Sequence, residues 1–293
     1  MKGIIVVNAY ATTKSELNQA LRLKEEFNCL SVEIDIVHTD EMQVIIENGN
    51  YSVNINNIDF CIYLDKDLHV LKMLEALNIK VFNNAKAIEI CDDKLLTHIA
   101  LANHDINMPK TIGGVLCYYK DAKVKKSIID KVESELRYPL IIKENYGSCG
   151  KGIYLARNRE ELEQIANEIK LKPHLYQTFI KESQGMDIRV IVIGGKCIGA
   201  MCRQNTQDFR SNIEIGGTGT AQSLNKEYIE ICEKVVNVLK LDYCGIDLLI
   251  DKDNNPVVCE VNSNAFFGMF EKVTNINVAK IYAEFIINEL SKK

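Results

Sequence analysis

A mixed α/β fold in two or three packed lobes is the expectation for these 293 residues, and three observations carry it. Residues 1–84 alternate short apolar runs with stretches of helical spacing, as an open α/β layer requires. The later part of the chain carries apolar runs joined by tight turns, the pattern of antiparallel hairpins. A content of 47% hydrophobic and 26% charged residues is that of an ordinary globular protein.

The elements follow in chain order. Gly3–Asn8 is a strand, because Ile4-Ile5-Val6-Val7 is apolar without interruption. Leu17, Ala20, Leu21, Leu23 and Phe27 give Lys14–Phe27 helical spacing. Val32–Val37 alternates apolar and acidic residues and is a strand with one solvated face. A buried strand at Ile58–Leu64, a helix at Leu68–Leu77 and a strand at Lys80–Phe82 complete the first region, residues 1–84.

The second region, 85–180, opens with Ala85–Asn103, which reads as one long helix holding Asp93-Lys94. Pro109 stops helix and starts an extended segment. Val124–Leu136 is helical, and Tyr138-Pro139 leads into the strand Leu140–Lys143. A Gly-rich segment, Glu144 to Gly152, precedes the strand Ile153–Ala156, the helix Arg159–Ile169 and the strand His174–Ile180. In the third region, 181–293, Asp187–Ile193 and Lys196–Arg203 form a hairpin across Gly194-Gly195. Gln204–Gln222 is polar, Gly-rich and without periodicity, so it reads as a long functional loop. The helix Lys226–Leu239, a second hairpin (Gly245–Ile250 with Pro256–Val261) and a helix at Val278–Leu290 follow.

Several function classes are disfavoured by composition. A net charge of −5 argues against a nucleic-acid surface, which needs clustered Lys and Arg. No apolar run approaches the roughly 20 residues that cross a bilayer, and the short apolar stretch at the N-terminus reads as a strand rather than a signal peptide. The ten cysteines include no CxxC pair, so they are expected to be reduced core residues of a cytoplasmic protein.

Three features point to phosphate and metal chemistry. Lys143 ends an apolar strand directly before Gly147, Gly150 and Gly152, where an ammonium and free backbone N–H groups can meet phosphate oxygens. The same residues would also suit a surface turn with a snorkelling lysine. The glycine spacing fits neither the G-x4-G-K-[ST] loop nor the dinucleotide fingerprint. Asp247, Glu260 and Asn262 lie in the second hairpin among Leu, Ile and Val, and hard oxygen ligands of this kind suit Mg²⁺ or Mn²⁺. Arg203, Arg210 and Asn212 flank the long loop, and guanidinium groups bind phosphate in a bidentate fashion.

In that order, the features resemble an ATP-grasp protein, and more narrowly the RimK-type glutamate ligases. The matching segments include Asp92-Asp93-Lys94-Leu95, Pro139 to Lys143, Gly147-Ser148-Cys149-Gly150-Lys151-Gly152 and Ile180 to Arg189. Asp208 to Asn212, Gly216-Gly217, Gly245-Ile246-Asp247 and Glu260-Val261-Asn262-Ser263 continue the series. The resemblance spans roughly residues 85 to 290. It implies an ATP-grasp fold: a pre-ATP-grasp α/β domain (1–84), then a central lobe (85–180) and a C-terminal lobe (181–293) holding nucleotide between them.

The resemblance also implies roles. Lys94 and Lys143 would bind nucleotide phosphates, with Gly147, Ser148, Gly150 and Gly152 closing over them. Gln177, Thr178 and Phe179 would offer backbone to adenine, and Asp187 would take the ribose. Arg210, Ser211 and Asn212 would line the nucleotide, with Arg203 near the γ-phosphate; Arg203 and Lys143 would be catalytic. Asp247, Glu260 and Asn262 would hold two divalent ions. Thr178 stands where the family usually carries glutamate, and Ser263-Asn264-Ala265-Phe266-Phe267-Gly268 replaces a usual Ser-Pro-Gly near the substrate. The implied reaction joins a carboxylate to an amine through an acyl phosphate, without a protein nucleophile, so Cys149 has no catalytic part. The partners implied are ATP with Mg²⁺ or Mn²⁺, an amino acid such as glutamate, and a peptide, protein tail or metabolite. A phosphotransferase and a non-catalytic nucleotide-binding module stay open as alternatives, as does a homo-oligomer.

Overall fold

A computed structural model describes residues 1–55 and 57–292. The first 82 residues supply β1 (Lys2–Val7), α1 (Lys14–Cys29), β2 (Glu33–His38), β3 (Ile45–Glu47), β4 (Asn50–Ser52), β5 (Phe60–Tyr63), α2 (Leu68–Ala76) and β6 (Lys80–Phe82). Four of the strands pair in parallel in the order β2-β1-β5-β6. Ile4 and Val6 of β1 pack with Val70, Leu71 and Leu74 of α2, while Ile5 and Val7 pack with Leu23 and Phe27 of α1. Cover on both faces is why β1 is apolar at successive positions rather than alternating. Thr13 and Glu16 form a capping box that starts α1. The exposed hairpin β3–β4 was not anticipated, because it has no buried face to impose a pattern.

The middle of the chain supplies α3 (Ala85–Asp92), α4 (Lys94–Leu101), β7 (Thr111–Gly113), α5 (Lys126–Glu135), β8 (Leu140–Glu144), β9 (Ile153–Ala156), α6 (Arg159–Ile169) and β10 (His174–Thr178). The strands form an antiparallel sheet in the order β7-β10-β8-β9. The single helix expected over Ala85–Asn103 is broken at Asp93. There the backbone is extended (φ −97°, ψ 110°), and the carboxylate accepts the N–H groups of Leu95 and Leu96. An aspartate that caps a new helix outweighs the continuous apolar spacing around it.

The last part supplies β11 (Met186–Ile193), β12 (Lys196–Gln204), β13 (Thr218–Gln222), α7 (Lys226–Leu239), β14 (Tyr243–Ile250), β15 (Pro256–Asn262), α8 (Gly268–Thr274) and α9 (Val278–Ser291). They form an antiparallel sheet, β13-β12-β11-β14-β15. Gly194 and Gly195 turn the first hairpin with φ of 56° and 78°, a conformation that favours glycine. The segment Gln204–Gln222 is not loop throughout. Thr218–Gln222 pairs with β12, and Ile213–Ile215 makes a 3₁₀ turn. The missed strand is an edge strand without a large apolar residue, so it carries no periodic signal.

Helix α9 closes the molecule. Val278, Ala279, Tyr282 and Ile286 are buried in one cluster with Ile5 of the first sheet, Phe27 of α1, and Ile191 and Tyr243 of the third sheet. Tyr282 stacks on Tyr243 at 4.9 Å between ring centroids. Among the described residues no helix is long and apolar enough to cross a membrane. All ten cysteines are free, but only Cys61, Cys91, Cys232 and Cys244 are fully buried; Cys29 is exposed and the others half-buried, so the core expectation holds for four.

Candidate active site

Strand alternation on β8 sets the site. Leu140 and Ile142 enter the core beneath α5 and α6, which turns Ile141 and Lys143 into the cleft between the second and third sheets. Lys143 is 6% exposed. Its Nζ lies 3.4 Å from Cys259 Sγ, and no carboxylate pairs with it among the described residues. A buried ammonium whose partner is a thiol remains poorly compensated, and an anionic oxygen would repair it.

The glycine loop rises beside Lys143, with Gly147, Gly150 and Gly152 at φ 140°, 75° and 69°. It is anchored on two sides. Lys94 Nζ donates to the Gly147 carbonyl at 2.8 Å, and Arg210 Nη1 donates to the Gly150 carbonyl at 2.7 Å. The break at Asp93 places Lys94 below the loop, where the Lys94 N–H also donates to the Asn145 carbonyl at 3.1 Å. Lys94 therefore supports the loop from beneath, with Glu260 3.4 Å away.

Strand β10 ends at Thr178, where the chain leaves the ladder and runs along the cleft through Phe179. The Gln177 side chain is engaged with His98 at 2.8 Å and Thr111 at 2.9 Å. Burial, and then the nearby Lys143 charge, lower the His98 pKa to about 4, so the imidazole is neutral near pH 7.

The floor of the cleft is a ladder of charges set by strand register. Asp187 on β11 faces Arg203 on β12, Arg189 faces Asp247 on β14, and Asp247 faces Glu260 on β15. Arg203 reaches Asp187 through Nε at 2.7 Å and Nη2 at 2.6 Å, and its Nη2 lies 2.8 Å from Asp247. Arg189 donates twice to Asp247, at 2.7 Å each. Burial raises the Asp187 pKa against the pull of Arg203. For Asp247 burial acts the same way, but Arg189 and Arg203 together outweigh it and hold the carboxyl below its ordinary range. Ser211 donates its hydroxyl to Asp187, so both Asp187 oxygens already have protein partners.

The β14–β15 register shifts after Asp247, leaving Cys259 as the extra residue of a bulge. That bulge puts the Cys259 thiol against Lys143 while Glu260 stays opposite Asp247. Asn262 lies two pairs further, opposite Gly245, with its side-chain amide 3.5 Å from Asp247 Oδ2. No cluster of three His, Cys, Asp or Glu residues suited to a metal occurs among the described residues. The donor set of Asp247, Glu260 and Asn262 is nonetheless all oxygen, the kind that Mg²⁺ or Mn²⁺ takes alongside nucleotide phosphates.

The cleft has two halves. The first is mainly apolar, with Ile141, Ile153, Phe179, Met186 and Leu249 around Lys143, Asp187, Arg210 and Ser211. The second is polar, with Lys66, Ser148, Cys149, Arg189, Glu214 and Asn264 among its walls. Arg203, Asn212 and Glu260 line both, so the halves meet at these three side chains. Of the residues singled out in the sequence, Gln177, Thr178 and Asp247 line the first half, and Gly147, Ser148 and Asn262 the second. Lys94, Gly150 and Gly152 line neither. Sequence reasoning missed Arg189, although a charge two residues after Asp187 within an apolar strand is a signal that both share one face. It also missed Lys66, which only tertiary packing brings to the cleft.

Comparison with known proteins gives a consistent result. The family described as the RimK-like ATP-grasp domain matches residues 91–286. The chain is 34% identical to human beta-citrylglutamate synthase B over 290 residues, covering 93% of this chain and 72% of that protein. It is 37% identical to human N-acetylaspartylglutamate synthase A over 231 residues, covering 78% of this chain and 58% of that protein. In three dimensions it resembles the ATP-grasp ligase PsnB, solved with a minimal precursor, Mg and ADP. The TM-score is 0.70 at 16% identity, over 99% of this chain and 98% of the other.

Proposed function

The chain belongs to the RimK-like ATP-grasp family, and on that footing we propose that it adds glutamate to a small carboxylate or peptide by way of an acyl phosphate. It is an ATP- and Mg²⁺-dependent ligase that forms carbon–nitrogen bonds. The choice of glutamate rests on its relatives, whose names are those of glutamate-containing products. One observation of this structure carries the two-step reading: an apolar half and a polar half of one cleft share Arg203, Asn212 and Glu260.

The chemistry requires that junction. A carboxylate oxygen of the donor substrate attacks the γ-phosphorus of ATP, and ADP leaves. The amine nitrogen then attacks the acyl carbon, loses a proton to solvent, and inorganic phosphate departs with the C–O electrons. Lys143, a buried ammonium with a thiol partner, is suited to the phosphate chain in the apolar half. Arg203 lies where the halves meet and is suited to the charge that grows on the transferring group. The N–H groups of the Gly147–Gly152 loop add donors, and Arg210 holds the loop over the cleft. Asp247, Glu260 and Asn262 would hold the divalent ion, which supplies charge neutralisation at the phosphates.

Hydroxylamine tests this without knowledge of the natural amine, because it traps an acyl phosphate as a hydroxamate. With ATP, Mg²⁺ and a panel of carboxylic acids, a hydroxamate and stoichiometric ADP are expected. AMP and pyrophosphate as products would refute the acyl-phosphate route.

A further inference from the structure

Asp247 has more partners than a metal ligand can keep. Both of its oxygens accept from Arg189 at 2.7 Å, and Arg203 adds a third contact at 2.8 Å. The two arginines and the two aspartates, 187 and 247, balance in charge. The arginines differ in what else holds them. Arg203 also has a bidentate bond to Asp187, whereas Arg189 has Asp247 alone among the described residues. If Asp247 turns to a divalent cation, Arg203 stays paired and Arg189 is left as an uncompensated charge 12% exposed on the wall of the polar half. An isolated guanidinium there requires an anion. The stem of Arg189 is closely packed: an added Cβ at Gly245 would lie 3.5 Å from Arg189 Cδ and 2.5 Å from the Ala265 methyl, so only glycine fits beside it.

We propose that Arg189 is the receptor for a carboxylate of the amino-acid substrate, and that it leaves Asp247 only when Asp247 engages a divalent cation. The inference rests on the ligase reading above and deepens it. Arg189 then serves as a coupling device: acidic substrate binds well only after nucleotide and cation are in place. Free energy of coupling is reciprocal, so substrate must tighten cation binding by the same factor.

Calorimetry of L-glutamate with the full chain tests this, using a non-hydrolysable ATP analogue with and without Mg²⁺. The wild-type affinity should rise about tenfold or more when Mg²⁺ is added. Asp247→Asn keeps the shape and weakens the hold on Arg189, so this variant should bind glutamate more tightly than wild type in the absence of Mg²⁺. Arg189→Lys should lose most of the Mg²⁺-induced gain, because lysine cannot make the paired contact. Reciprocity is checked in wild type alone by titrating Mg²⁺ with and without glutamate. Glutamate binding that ignores Mg²⁺, or an Asp247→Asn protein no tighter than wild type without it, would overturn the inference while leaving the glutamate reading in place. A neutral amino acid showing the same dependence on Mg²⁺ and Arg189, with glutamate inert, would support the inference and overturn the choice of glutamate.

Discussion

Lys143 Nζ rests 3.4 Å from the thiol of Cys259, the residue that the β14–β15 bulge leaves unpaired. An ammonium that is 6% exposed gives up water for a weak acceptor, so it is poised for an anion rather than built for stability. Lys143→Met should therefore weaken binding of an ATP analogue by roughly 10- to 100-fold, as loss of a charge-assisted bond of about 1.5–3 kcal/mol implies. Its melting temperature should equal or exceed that of wild type, since the buried charge is gone. Unchanged affinity by calorimetry would remove Lys143 from the nucleotide site.

Glu260 joins the two halves of the cleft and lies 3.4 Å from Lys94. Glu260→Gln keeps its volume and removes its charge. Turnover should fall at least about 100-fold, as the loss of about 3 kcal/mol of transition-state stabilisation implies, with partial recovery as Mg²⁺ is raised. Near-normal turnover at ordinary Mg²⁺ would show that this carboxylate is not a ligand.

The loop 147–152 is held by Lys94 from below and Arg210 from the side. Arg210→Ala should speed amide hydrogen exchange across Gly147–Gly152 in the ligand-free protein, and a bound ATP analogue should restore much of the protection. Gly150→Ala should be worse for turnover. Its φ is +75°, and the added methyl would lie 2.9 Å from Asn212 Oδ1. Equal exchange in wild type and Arg210→Ala would mean that the Gly150 contact does not order the loop.

A buried histidine and a half-buried aspartate give opposing pH dependence. His98, lowered from 6.5 to about 4, binds its proton more weakly folded than unfolded. It therefore contributes stability above pH 6.5 that is lost as pH falls toward 4, about 3 kcal/mol in all. Asp242, raised by burial from 3.8 to about 6, acts in the other sense. Its contribution is present below pH 3.8 and is lost as pH rises through 6, again about 3 kcal/mol. The net wild-type curve between pH 4 and 6.5 should be shallow. Denaturant melts of His98→Gln should show stability rising toward acid pH relative to wild type, and those of Asp242→Asn should show it falling. Parallel curves for all three proteins would contradict both assignments.

Local chemistry was enough to read much of this protein from its residues. The first buried strand announces itself through Ile4-Ile5-Val6-Val7, since a strand covered on both faces must be apolar at every position. Lys143 before three glycines, and Asp247 with Glu260 and Asn262, are polar groups in apolar strands, and such groups are tolerated for chemistry. What needed tertiary structure was every feature whose cause lies far along the chain. The helix break at Asp93 is matched by the Asn145 carbonyl, which receives the Lys94 N–H and sets that lysine under the loop. Edge strand β13 is defined by its bonds to β12 rather than by any pattern of its own. The pairing of Arg189 with Asp247 spans 58 residues and depends on strand register, which fixes which charges face each other across a sheet. Periodicity reports the environment of a residue along its own element. Which partner fills that environment is decided only when distant segments meet.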